Sequence, residues 1–343
     1  MSFAYSILES GRIPDVLLRA IIRLVSYERL WTERKATPQL EMEHLQNFKN
    51  KLLGMPIALV PEAANEQHYE VPAEFYRYVL GQRRKYSSAY FPPGITSLDD
   101  AERAMLAITC TRAELRDGMN ILELGCGWGS LTLWMAEQFP HATITGVSNS
   151  ASQREYILSR CAELGLSNVK IITADINNFA IEERFDRVVS VEMFEHLRNW
   201  GLLFSRIRSW LKDDGKLFFH IFTHRIHAYE YETVGTSNWL GKYFFTGGMM
   251  PSDLLPLYFA DHFAIEQHWR LPGTHYGKTA EAWYQNHLSN RDAIVSLFAK
   301  TYRGEDPNIW FERWKIFFLA CAEMFALRGG KEWLVSHYLF KAR

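Results

Sequence analysis

The chain has 343 residues, enough for one large domain with additions or two domains sharing an interface. Hydrophobic residues make up 48% and charged ones 22%, which excludes a disordered chain, and a formal net charge of −1 gives no global electrostatic case for nucleic acid. Cys110, Cys126, Cys161 and Cys321 stand far apart and never form CxxC, the N-terminus has no signal-peptide layout and no apolar run approaches a membrane span, so a cytoplasmic protein with reduced thiols and no stable membrane insertion is expected.

In chain order, residues 1–85 read as helical. In PDVLLRAIIRLVSYERLW, apolar residues 17, 18, 21, 22, 24 and 25 follow helical spacing after Pro14, with Arg19, Arg23 and Arg29 on the other side. A basic amphipathic helix of this kind can lie on a membrane surface; packing against its own domain is the expectation here. The stretch GMPIALVPEAANEQHYEVP separates this region from a further helix near residues 72–80. From about residue 118 short apolar runs alternate with helical segments. NILELG precedes SLTLWMAEQF, ATITGVS precedes SASQREYILSRCAEL, and VKIITAD is followed by FDRVVSV, MFEHLRNWGLLFSRIRSWL and KLFFHIF. This alternation predicts an α/β fold with a mostly parallel sheet. FAIEQHWRL and WLVSHYLFK bring the strands to seven, the last closing the sheet at the C-terminus. Residues 272–330 read as helices and, with residues 223–255, are expected as helical cap insertions over the sheet's C-terminal edge.

ILELGCGWGS puts Gly125, Gly127 and Gly129 between a strand and a helix, where a backbone must turn tightly and approach a ligand. A dinucleotide loop needs its third glycine at position 130, which is Ser130. The second strand ends in GVSNSASQ and the third in TADIN. Asn149 and Gln153 follow the second strand and Asp175 and Ile176 the third, on the ligand-binding edge of an open sheet. Helix capping by Asn149 and Asp175 is the structural alternative.

VEMFEH follows the fourth strand. If a helix starts there, Glu192, Glu195 and His196 fall at i, i+3 and i+4 on one face. The alternative is a helix-start pair favoured by the dipole. His220, His224 and His227 begin on a strand and need not converge, and no acid or cysteine completes a ligand set, so no metal is expected.

RRKYSSAYF, LELGCGWGSLTLWMA, GVSNSASQREYI, VEMFEHLRNW, YFFTGGMMPS and WKIFFLACAEMFAL carry a resemblance. From about residue 83 onward the chain resembles the cyclopropane fatty acid synthase superfamily of class I S-adenosylmethionine methyltransferases. Within it the nearest resemblance is to the plant-type, coclaurine-type benzylisoquinoline alkaloid N-methyltransferases. The resemblance implies a Rossmann-like methyltransferase core over residues 86–343, with residues 1–85 as a helical lid region. It also implies methyl transfer from S-adenosyl-L-methionine, leaving S-adenosyl-L-homocysteine, to a small amine. Carried over, the cofactor contacts are Tyr86, Ser87, Gly125, Gly127, Asn149, Gln153, Asp175, Ile176 and Val191, and the residues matching Glu192, Glu195 and His196 line the amine pocket.

An alkyl ammonium, with a pKa near about 10, has no lone pair at neutral pH. Two carboxylates would attract it and one of them, or His196, would take its proton. His220 and the aromatics Trp239, Tyr243, Phe244, Trp283 and Tyr284 are expected around the organic cation. In the cyclopropane synthases the position of Glu192 is usually glycine and a bound bicarbonate is the base. Its shell resembles Glu195, His220, Tyr284 and Cys321, with a cysteine where this chain has Ser88. By that resemblance Cys321 counts as catalytic, whereas LACAEMF itself reads as a buried helix cysteine lining the cavity, not a nucleophile. A lipid alkene methylase is thus the alternative enzyme, a cofactor-binding scaffold the non-enzymatic one, and pairing of two chains through the N-terminal helices stays open.

Overall fold

The computed structural model describes residues 3–59, 71–231 and 239–343. Five short apolar runs build the middle of the fold: β1 (Asn120–Leu124), β2 (Thr143–Ser148), β3 (Val169–Thr173), β4 (Phe185–Val191) and β5 (Leu211–His224). They pair in parallel, Leu122 beside Thr145 on one side and Val188 on the other. Ile121, Leu122, Val188 and Val189 have no exposed surface, because both faces of a parallel sheet are covered. That is why apolar residues dominate the middle of these strands. β6 (Tyr229–Glu230) and β7 (Met249–Met250) form a separate small ladder. β8 (Phe263–Pro272) and β9 (Trp333–Ala342) are antiparallel, and the order is β3-β2-β1-β4-β5-β9-β8. The C-terminal strand therefore slots between β5 and β8. All seven expected strands are present.

The helices are α1 (Phe3–Leu8), α2 (Asp15–Glu33), α3 (Pro38–Leu53), α4 (Ala73–Val79), α5 (Leu98–Arg112), α6 (Ser130–Gln138), α7 (Ala151–Leu164), α8 (Trp200–Trp210), α9 (Trp239–Tyr243), α10 (Thr274–Ser289), α11 (Arg291–Thr301) and α12 (Pro307–Ala326). The sequence reading left α5 unassigned, although Ser97 caps it through the Asp100 amide and two acids fill its first turn.

Three expectations need correction. First, α2 packs as foreseen, but with its arginines inward. Leu18, Ile22 and Ser26 face the body, and Arg19 and Arg23 reach Glu323 on α12 at 2.7 and 2.5 Å, Arg19 also reaching Glu281 on α10. Val16 and Trp31 stay 78% and 79% exposed. Acids on the cap helices decide that orientation, and the periodicity of α2 by itself does not contain them. Second, the described part of residues 223–255 is mostly not helical: it holds the β6–β7 ladder and the five-residue α9. Residues 232–238 of that segment, and most of the Pro-containing stretch, lie outside the described residues. Third, no helix starts at VEMFEH. Glu192 adopts φ +47°, a single 3-10 turn covers Phe194–His196, and α8 begins only at Trp200 under an Asn199 cap. The backbone amides of Arg198 and Asn199 donate to Ile57 and Pro56 carbonyls instead of entering a helix.

Candidate active site

The chain runs from β1 to β2 on one side of the sheet, while β4 pairs with β1 on the other. At such a switch point the strand ends open a crevice. Two adjoining cavities fill it.

Gly125, Gly127, Asn149, Gln153, Asp175 and Ile176 line the first cavity, joined by Ala58, Thr246 and Gly247. Gly125 sits at φ +76°, and a Cβ there would meet the Met193 Sδ at 2.8 Å, so the turn and VEMFEH are packed against each other. Asn149 does not cap α7: Ser150 does, accepting from the Gln153 amide. Asp175 does accept locally, from the Asn177 amide at 2.9 Å, but a turn follows it and not a helix. Gln153 is 1% exposed. Its Oε1 accepts from Ser148 Oγ at 2.6 Å, and its Nε2 has no partner among the described residues. A buried donor left open in a cavity calls for a polar partner. With hydroxyl- and amine-seeking groups at the ends of β2 and β3 and open space beside Gly127, the lining fits an adenosyl ligand.

Tyr86, Ser87 and Val191 line the second cavity, with Trp128, Phe222, Phe245, Tyr276, Trp283 and Phe317 as aromatic walls. Gly125, Gly127, Gln153, Glu192 and His196 border both cavities. Glu192 is held on three sides. Its Oε1 accepts from the Ser88 amide at 2.8 Å and contacts His220 Nε2 at 3.1 Å, and its Oε2 accepts from the Tyr276 hydroxyl at 2.7 Å. Glu195 lies behind it, fully buried. The Phe222 amide donates to its Oε1 at 2.7 Å, and Oε2 has no partner among the described residues. His196 stacks on Phe245, centroids 5.2 Å apart.

Burial pushes both carboxylates above their ordinary range. The charge of Glu192 drives Glu195 further, whereas the Lys85 ammonium and the Ser88 and Tyr276 hydrogen bonds oppose the rise at Glu192. Glu195 is thus pushed up further than Glu192, and of the two Glu192 is the one whose charge the surroundings favour. Burial keeps His220 neutral, well below the usual histidine value.

The expected aromatic wall is only partly right in position. Trp283 lines the second cavity and Phe244 stacks behind Phe317, centroids 4.4 Å apart. Trp239, Tyr243 and Tyr284 are not among the described lining residues. Trp239 donates to Glu9, Tyr243 lies under Arg313, and Tyr284 donates to Asp15 at the start of α2. The tyrosine at the carboxylate is Tyr276, one heptad before Trp283 on α10. That i, i+7 spacing was readable, but nothing marked which tyrosine turns inward. Phe222 was likewise available, two residues from His220 on the same face of β5. Cys321 is buried in α12 and is not among the residues lining either cavity, and burial raises its thiol pKa, so it carries no thiolate. The three histidines diverge: His220 joins Glu192, while His224 and His227 stack on each other.

This sheet order, with a glycine turn after β1 and a ligand crevice at its switch point, is the Rossmann-like fold of class I S-adenosylmethionine-dependent methyltransferases. The chain belongs to the mycolic acid cyclopropane synthetase family, whose model matches residues 60–331. It is 37% identical over 341 residues to (S)-coclaurine N-methyltransferase of Thalictrum flavum subsp. glaucum, covering 98% of this chain and 94% of the relative. Pavine N-methyltransferase of the same plant is 33% identical, covering 98% and 95%. A crystal structure of coclaurine N-methyltransferase bound to N-methylheliamine and SAH superposes with a TM-score of 0.95 at 35% identity, covering 98% of both chains. The cyclopropane synthase MmaA2 of Mycobacterium tuberculosis, 20% identical with a TM-score of 0.70 over 83% of this chain and 99% of that one, shares the fold.

Proposed function

We propose that this chain is an S-adenosyl-L-methionine-dependent N-methyltransferase that methylates the nitrogen of a small arylalkylamine, with tetrahydroisoquinolines the first class to test. The observation that carries the reading is the Glu192 carboxylate standing where the two cavities meet, inside a cluster of aromatic rings. S-adenosyl-L-methionine in the first cavity supplies a methyl already activated on a sulfonium. Gly125, Gly127, Asn149, Gln153, Asp175 and Ile176 would hold it there, with Tyr86, Ser87 and Val191 on the wall of the second cavity. What remains for the chain is to seat the amine and free its lone pair. The Glu192 charge draws the ammonium, the rings of Trp128, Phe222, Phe245, Tyr276, Trp283 and Phe317 hold it by cation–π contact, and Glu192 takes its proton. The Ser88 amide, His220 and Tyr276 keep that carboxylate in place, Glu195 lies behind it, and His196 forms part of the wall between the cavities. Cys321 has no part in the reaction.

The lipid reading loses ground at the same atoms. Glu192 already occupies the Ser88 amide, His220 and Tyr276, where the resemblance would have the cyclopropane synthases keep a bicarbonate. Pairing of two chains and a cytoplasmic setting also belong to the proposal; the exposed apolar side of α2 supports the first and four free cysteines support the second. Incubation with methyl-labelled cofactor and separate amine and phospholipid panels tests the function. Label in amines is expected, and label in lipid but in no amine refutes it.

A further inference from the structure

Lys85 is 2% exposed and lines the second cavity beside Tyr86 and Ser87. Its Nζ donates to Ser87 Oγ at 2.5 Å and to the Ser88 carbonyl at 2.7 Å. The amide of the same Ser88 donates to Glu192 Oε1 at 2.8 Å. A buried ammonium satisfied only by a hydroxyl and a carbonyl is expensive unless a negative charge lies close. A cation is also out of place in a pocket meant for a cationic amine, so its burial needs a reason.

We propose that Lys85 is a positioning residue of the methyl-transfer site: its ammonium holds the 85–88 turn, whose Ser88 amide grips Glu192, and sets a positive charge beside that carboxylate. This rests on the reading of Glu192 as proton acceptor. Burial of two acids three residues apart disfavours charge on both, and a neighbouring cation favours it on the one it faces, which is the form able to receive the amine's proton. Lys85 acts on Glu192 and is not among the influences on Glu195, so it separates the pair into one base and one acid. The charged and titratable groups facing Lys85 come from four elements. They are Glu192 after β4, Glu102 on α5, His220 on β5 and His337 on β9, both histidines held neutral by burial. Burial brings Lys85 itself down to about 8, with Glu192 and Glu102 opposing, so it is still mostly charged at neutral pH.

The test is the pH dependence of kcat for N-methylation by the wild type and by Lys85→Gln, Lys85→Met and Lys85→Arg, with one amine throughout so that its own ionisation is common to all. Lys85→Gln keeps donors for Ser87 and Ser88 and loses only the charge, which guards against a folding defect. The acid limb in Lys85→Gln and Lys85→Met is expected to move up by about one pH unit. Below the wild-type limb these variants then turn over about tenfold more slowly and they meet the wild type above about pH 9, while Lys85→Arg keeps the wild-type limb. A purely structural lysine would change stability or KM and leave the limb in place. An active wild type with an unmoved limb in Lys85→Gln overturns the role of Lys85 alone; a wild type inactive on every amine overturns it together with the proposed function.

Discussion

Glu192→Gln is the sharpest perturbation of the proposed chemistry, because it keeps the shape and removes the charge. The carboxylate now accepts from the Ser88 amide, His220 and the Tyr276 hydroxyl. An amide oxygen can still serve the first two, and the tyrosine hydroxyl can rotate to accept from the new NH₂, so the stability change should stay within about 1 kcal/mol. Turnover should not stay. An amine with pKa near about 10 is only about one part in a thousand unprotonated at pH 7, so a pocket without a base works on that fraction alone. The expected loss in kcat is about 10³-fold at pH 7, shrinking tenfold per pH unit to about tenfold at pH 9. Single-turnover rates by mass shift across pH 6.5–9.5, with cofactor affinity by calorimetry, read both parts. A variant within threefold of wild type at pH 7, or a deficit that does not change with pH, refutes Glu192 as the proton acceptor.

Tyr276→Phe removes one buried hydrogen bond to the same carboxylate, and kcat should fall about tenfold with cofactor affinity unchanged, read by the same assay. Gln153→Leu deletes the unpartnered Nε2 of the first cavity and should weaken cofactor binding about tenfold in calorimetry while kcat at saturation stays within about threefold. Cys321→Ala should leave kcat within about twofold, since a thiol raised by burial offers no nucleophile at neutral pH. Glu123, buried and hydrogen-bonded to Thr132, has its pKa raised by burial to about 7, above the unfolded value of 4.5. Its contribution to stability is full below pH 4.5 and lost as pH rises to about 7. Glu123→Gln should therefore gain about 3 kcal/mol relative to wild type across that window in urea unfolding and stay flat above it, and parallel curves would contradict this.

The sheet was readable because its strands are buried on both faces, so NILEL and FDRVVSV carry their location in composition alone. The first cavity was readable for a related reason: Gly125, Gly127, Asn149, Gln153, Asp175 and Ile176 all sit at strand ends or first turns, where local geometry fixes direction. The second cavity is walled by residues far apart in sequence. Phe245 faces it and Phe244 does not, Tyr276 faces it and Tyr284 binds α2, although each pair is indistinguishable by type. Which of two neighbouring aromatics turns inward depends on the packing of α10, α12 and the β6–β7 ladder, and no local pattern records it. VEMFEH shows both limits. Its residue types announced an acidic, imidazole-bearing site, but a helical spacing assumed a helix that the contacts of Arg198 and Asn199 with residues 56 and 57 prevent. Only the folded chain could bring the 85–88 turn, His220 and Tyr276 from three separate segments around one carboxylate, because their convergence is a property of the packed elements and of nothing shorter.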